Sequence, residues 1–195
     1  MRGGVRILGI DPGLRSTGWG VVSFSHGRLQ HISNGAIRPN PRHSDADRLT
    51  MIYQDLSAVI ADHQPDFAAI EEIFVAKSAR SALRLGMARG VGILACGAAH
   101  LAVNEIAARA VKKAVVGTGT ASKEQIQDMV ARLLQVRACN ADAADALAIA
   151  IAASNDAGKP AGIALRSAQS VPDDALSKAI SQALARDDAK QRGKT

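Results

Sequence analysis

The chain has 195 residues, 47% hydrophobic and only 3% aromatic, with a formal net charge of +6. That length holds one well-buried domain and a tail, cored by Ala, Val, Ile and Leu rather than by rings. A disulfide scaffold and a bilayer-spanning helix are excluded. Cys96 and Cys139 form neither a CxxC nor a zinc spacing, and no apolar run approaches the ~20 residues a span requires.

The first element is an apolar run over 5–10 that reads as a strand ending at Asp11, before the turn Pro12-Gly13. Strands over 17–24 and 28–37 flank His26-Gly27, a hairpin connection. Residues 45–62 carry Leu49, Ile52, Leu56, Val59 and Ile60 on one helical stripe. Pro65 ends that unit, and 67–71 is a short buried strand finishing on Glu71. There follow a helix over about 79–95, a short strand over 100–104, a short helix over 107–113 and a loop over 117–120. Ser122 is placed to cap a helix running to Leu134, its hydroxyl accepting an orphan backbone N–H. A last core helix spans 141–154.

Hairpin-linked strands are antiparallel, and strands separated by helices run parallel. The expected fold class is therefore α/β, a mixed five-stranded sheet flanked by helices. Residues 1–154 are expected to form this domain. Residues 155–195, interrupted by Gly158, Pro160, Gly162 and Pro172, read as a tail with an amphipathic helix over 173–186 and a disordered charged end. The N-terminus shows no charged-then-apolar export signal, and the cysteines read as buried thiols of a reducing compartment, so a cytoplasmic location is expected.

Charge is concentrated. Between Ala76 and Lys123 lie Lys77, Arg80, Arg84, Arg89, Arg109, Lys112, Lys113 and Lys123 against Glu105 alone, an excess larger than that of the whole chain. Such a segment in an otherwise near-neutral chain fits an anionic partner such as a nucleic-acid backbone; a set of solvated helix faces accounts for it equally well.

Four acids stand where burial should discourage them. Asp11 and Glu71 each end an apolar strand, and Asp142 and Asp145 open a helix that is otherwise Ala, Leu and Ile. Three apart on a helix, the last two share a face. Each has an innocent explanation alone, such as a helix-terminal charge or a turn. Brought together they would repel one another unless cations neutralised them. All-oxygen donors suit Mg²⁺ or Mn²⁺, and two such ions about 3.5–4 Å apart can clamp both oxygens of a phosphoryl transfer. A strand-cutting nuclease joins the acids to the basic segment.

At these residues the sequence resembles the RuvC family of Holliday-junction resolvases. Ile10-Asp11-Pro12-Gly13 with Thr17-Gly18-Trp19-Gly20 is similar to the family's opening strand and turn. Ala69-Ile70-Glu71, Phe74-Val75-Ala76-Lys77 and Ser81-Ala82-Leu83-Arg84-Leu85-Gly86 resemble its second block. Residues 115–123 resemble its third and residues 142–150 its fourth. The resemblance implies an RNase H-like homodimer that binds four-way DNA junctions and nicks two opposing strands. It implies two Mg²⁺ ions per site, with Mn²⁺ able to substitute, and work beside a branch-migration complex of the RuvA and RuvB type, with no membrane partner. By motif, Asp11, Glu71, Asp142 and Asp145 are its metal-binding catalytic acids. Lys112 and Lys123 stand near the DNA backbone, and Phe74 is the aromatic that enters the junction. Lys77 and Arg80, from the basic segment, complete the expected DNA-binding set. Gly86 and Gly90, four apart on one helix, either let a second copy's backbone approach, with Leu83, Met87 and Leu94 as apolar contact, or pack the helix on its own sheet.

A sugar-kinase or actin-like ATPase also follows its first strand with Asp-x-Gly, but repeats the fold in two domains, for which this chain is short. A junction-binding protein without catalysis would have no need of four such acids. An RNase H-like nuclease acting on RNA stays open at this stage, since fold does not fix substrate.

Overall fold

The computed structural model describes residues 4–72, 79–136 and 140–155. The amphipathic helix expected over 173–186, and Cys139, lie outside the described residues. The described residues belong to one compact unit.

Five strands, β1 (Val5–Asp11), β2 (Thr17–Ser25), β3 (Arg28–Ile37), β4 (Phe67–Glu71) and β5 (Val103–Ile106), form one sheet in the order β3-β2-β1-β4-β5. β1 is antiparallel to β2 and β2 to β3, whereas β4 is parallel to both β1 and β5. The helices are α1 (Asp45–His63), α2 (Ala79–Ala98), α3 (Ala108–Val116), α4 (Lys123–Leu134) and α5 (Ala141–Ser154). The mixed five-stranded sheet flanked by helices is the arrangement expected.

Alternation along the strands sorts the core into two layers. Ile7, Val22, Phe67 and Ala69 pack with α3, α4 and α5. Leu8, Ile10, Val21, Ala68 and Ile70 pack with α1 and α2 on the other face. α5 is the central helix of its layer, buried from Ala146 to Ser154. Leu147, Ile149 and Ile151 are almost wholly enclosed there, each contributing roughly 1.5–3 kcal/mol.

Several boundaries differ from expectation. α2 runs to Ala98, and β5 occupies 103–106 rather than 100–104. His100 takes a left-handed φ of 54°, and the Leu101 N–H returns to the Cys96 carbonyl at 2.9 Å. That closure consumes the residues assigned to the strand. α3 similarly continues to Val116, ended by left-handed Gly117. Cys96 is fully buried, as expected, and burial pushes its thiol up to about 12.

The β1–β2 loop is braced from α1. Arg48, buried, donates to the Leu14 carbonyl at 2.8 Å and pairs with Asp45. Among the described residues no helix is long and apolar enough to cross a membrane.

Candidate active site

Strand alternation puts Asp11 on the face of Ile7 and Gly9, and Glu71 on that of Phe67 and Ala69. Both therefore face α5. Ile10 pairs with Ile70 in parallel register, so the two acids stand side by side at the carboxyl ends of adjacent strands. This is where open α/β sheets place their ligands. Glu72, one residue on, is exposed, so Glu71 and not Glu72 belongs to the cluster.

α5 reaches these acids because the sheet beneath it has no side chains at two points. A Cβ on Gly9 would overlap the Ala146 carbonyl oxygen, and one on Gly18 would overlap that of Asp142. Helix backbone lies directly on strand backbone there. Asn140 fixes the helix start, its side-chain oxygen accepting from the Ala143 N–H at 2.9 Å. Asp142 and Asp145, on the first turns, then stand over the strand ends.

The electrostatics follow from this crowding. Burial raises the Asp11 carboxyl to about 7, with the charges of Asp145 and Glu71 adding, Lys123 opposing and Asp142 adding a little. Glu71 is raised for the same two leading reasons, burial and Asp145, against Lys112 and Lys123. Asp142 is lowered, chiefly by the Ser16 hydroxyl, which donates to it at 2.7 Å, and also by Arg38 at 3.2 Å. Asp145 takes the Lys123 ammonium at 2.6 Å, a bond that raises the lysine.

Among the described residues no three carboxylates close on a common point as a ready metal cage. Asp142 and Asp145 are instead engaged by side-chain cations. The donor set nevertheless fits a divalent ion. It is all carboxylate oxygen, and burial together with the neighbouring acids pushes Asp11 up to about 7, a shift that a bound cation would oppose.

A cavity of about 250 Å³ beside the cluster is lined by Glu71, Asp145, Lys112 and Lys123. Lys112 is anchored on the Ala121 carbonyl at 3.0 Å. Ser122 caps α4 as expected, in a full capping box with Gln125, which places Lys123 at the helix start. Arg80 is exposed on the first turn of α2 and lines neither this cavity nor the acid cluster. Phe74 and Lys77 lie outside the described residues. Sequence reasoning missed Ser16 and Arg38, both on Asp142. It also missed the role of Arg89, which donates to the Glu71 carbonyl at 3.4 Å and pairs with Glu105, tying α2 to the ends of β4 and β5.

A family model described as crossover junction endodeoxyribonuclease RuvC matches residues 7–153. The chain belongs to the RuvC family. All four acids fall inside the match. The Zymomonas mobilis crossover junction endodeoxyribonuclease RuvC is 48% identical over 82% of this chain and 96% of its own. The Caulobacter vibrioides enzyme of the same description is 50% identical over 77% of this chain and 89% of its own. Among solved structures, Thermus thermophilus RuvC in complex with a Holliday junction substrate superposes with a TM-score of 0.74 at 28% identity, covering 78% of this chain and 94% of that one. The fold is thus RNase H-like. RuvC family nucleases depend on divalent metal ions.

Proposed function

We propose that this chain is a structure-selective endodeoxyribonuclease that resolves four-way DNA junctions by paired, symmetric nicks during recombination and repair. The observation that carries the reading is that Asp142 and Asp145, on the first turns of α5, stand over Asp11 and Glu71 at the carboxyl ends of β1 and β4. Asp11, Glu71, Asp142 and Asp145 would hold two Mg²⁺ ions, or Mn²⁺ in their place, and the chemistry those ions would supply is activation of the attacking water and stabilisation of the charge that develops on the phosphate and the leaving oxygen.

The protein's own groups supply the rest. Lys123, at the start of α4, reaches the same acids and a phosphate lying over them. Lys112, in the same cavity, holds the backbone of the cut strand. Phe74 stacks on an unpaired base of the junction, and Lys77 and Arg80 grip its backbone beside it. The enzyme works in the cytoplasm on the bacterial nucleoid, alongside a branch-migration complex of the RuvA and RuvB type.

Pure protein with Mg²⁺ should nick a mobile synthetic four-way junction on two opposing strands and leave linear duplex of the same sequence uncut. Equal cutting of both substrates overturns the junction reading.

The functional unit is a two-fold dimer, matching the two equivalent strands a junction presents. Its contact is the outer face of α2. Leu83 and Leu94 are 66% and 59% exposed there, and open space stands before Gly86 and Gly90. Gly92, by contrast, faces the protein's own Ile70, Ile10 and Leu56. Sedimentation at micromolar concentration should give a dimer, and Leu94→Glu should shift it toward monomer with loss of paired cutting. A wild-type monomer fully active on junctions contradicts this.

A further inference from the structure

On the other side of the acid cluster from Lys112 and Lys123 lies a second depression, of about 640 Å³. The β1–β2 loop forms one wall, with Arg15 and Ser16. Arg38, just beyond β3, and Arg84, near the start of α2, form the others, and Asp142 lies at the edge toward the active site. Four guanidinium groups, those of Arg15, Arg38, Arg48 and Arg84, line it against that one carboxylate.

Arg48 is committed elsewhere. Its head holds Leu14 and Asp45, so it fixes the loop that carries Arg15. The other three are held more loosely. Arg15 is exposed and enters no ion pair among the described residues. Arg84 is half exposed, and its partner Asp45 is distant at 3.7 Å. Arg38 shares one Asp142 oxygen with the Ser16 hydroxyl, so Asp142 keeps a hydrogen bond if Arg38 turns away.

A carboxylate cluster repels the very backbone it must cut. Lys112 and Lys123 offset that repulsion on one flank only. Guanidinium groups present a planar fork that matches phosphate oxygens two at a time. We propose that Arg15, Arg38 and Arg84 form a second phosphate-binding track, so that the DNA strand lying across the acids is gripped on both sides of the break. The proposal rests on the nuclease reading and deepens it. It assigns the flank of the cut strand that runs past the β1–β2 loop toward α2, and it gives Arg38 two alternative partners, Asp142 and a phosphate.

The test is junction binding without metal, so that cutting does not enter. A synthetic four-way junction is titrated by gel shift in EDTA across roughly 50–200 mM salt, where each phosphate contact adds about 0.9 to the log–log slope. Arg15→Ala and Arg84→Ala should each weaken binding severalfold at the upper salt and flatten the slope by about one contact's worth, and the double variant by about two. Arg28→Ala, beside the β2–β3 turn at the opposite end of the sheet, removes the same charge and should leave the slope unchanged. Circular dichroism checks the fold of each variant. Slopes equal to wild type for Arg15→Ala and Arg84→Ala, in a protein that binds and cuts junctions normally, overturn the track alone. A wild-type protein that binds no junction overturns the nuclease reading and the track with it.

Discussion

Asp145→Asn is expected to reduce cleavage by more than about 100-fold while leaving junction binding intact or tighter. Altering even an outer partner of a metal ligand costs roughly 10–100-fold, and Asp145 is proposed as a direct one. The amide keeps the shape of the side chain but removes one of the charges that raise Asp11 and Glu71. It also frees the Lys123 ammonium from its 2.6 Å partner, leaving one more cation for phosphate. The fold should tolerate the change, because the Lys123–Asp145 pair is largely exposed on the lysine side and such pairs contribute little stability. Withholding Mg²⁺ from the wild type should mimic the variant, and Ca²⁺ should support binding better than cutting. Gel-shift and nicking assays run on one junction read both quantities. Normal cutting by Asp145→Asn would return Asp145 to the role of a helix-terminal charge. Loss of binding in a folded variant would mean that the acids and the DNA surface are not separable.

The second large effect concerns pH. In the metal-free protein Asp11 keeps its proton to about 7, whereas its ordinary value is 3.8. Between those values the folded chain binds the extra proton, so folding stability must fall as pH rises through that window. At about 1.4 kcal/mol per unit this reaches roughly 4 kcal/mol by pH 8, and Glu71 adds in the same direction. Asp142, lowered, acts oppositely but only below the ordinary carboxylate range. A divalent ion competes with the proton, so stabilisation by Mg²⁺ should be slight near pH 5 and large near pH 8. Asp11→Asn should make the metal-free protein more stable than wild type at pH 8, nearly equal to it at the acid end, and weakly responsive to Mg²⁺. Denaturant melts of both proteins in EDTA and in Mg²⁺ give the difference directly. A wild-type minus Asp11→Asn difference that is flat from pH 5 to 8 contradicts the crowded-carboxylate account.

Much of this site is legible in the sequence because its acids interrupt patterns. Asp11 and Glu71 each stop an apolar run, and a period of two assigns Glu71 rather than Glu72 to the face of Asp11. Asp142 and Asp145 break a helix that is otherwise Ala, Leu and Ile. The partners of those acids are harder to find. Counting back from the two-residue turn His26-Gly27 would set Thr17 opposite Ala36. An irregularity between Val21 and Val22 inserts one residue, so Thr17 faces Ile37 instead. That single residue lets Arg38 reach Asp142 together with Ser16, and nothing in the composition of either strand announces it. The hydrophobic pattern sets β5 too early for a related reason. A left-handed His100 is a backbone event that hydrophobic pattern does not encode.

The bare floor at Gly9 and Gly18 has a mechanical consequence. Where a helix rests on a sheet through interleaved side chains, rotamer changes in that layer let the two elements drift by fractions of an ångström. Here main chain bears on main chain, and peptide units have no rotamers to exchange. The separation between the strand-borne acids and the helix-borne acids is therefore as stiff as the backbone itself. Adaptation to the incoming phosphate falls to side chains, the carboxylates' own and the long arms of lysine and arginine, on a fixed main-chain frame.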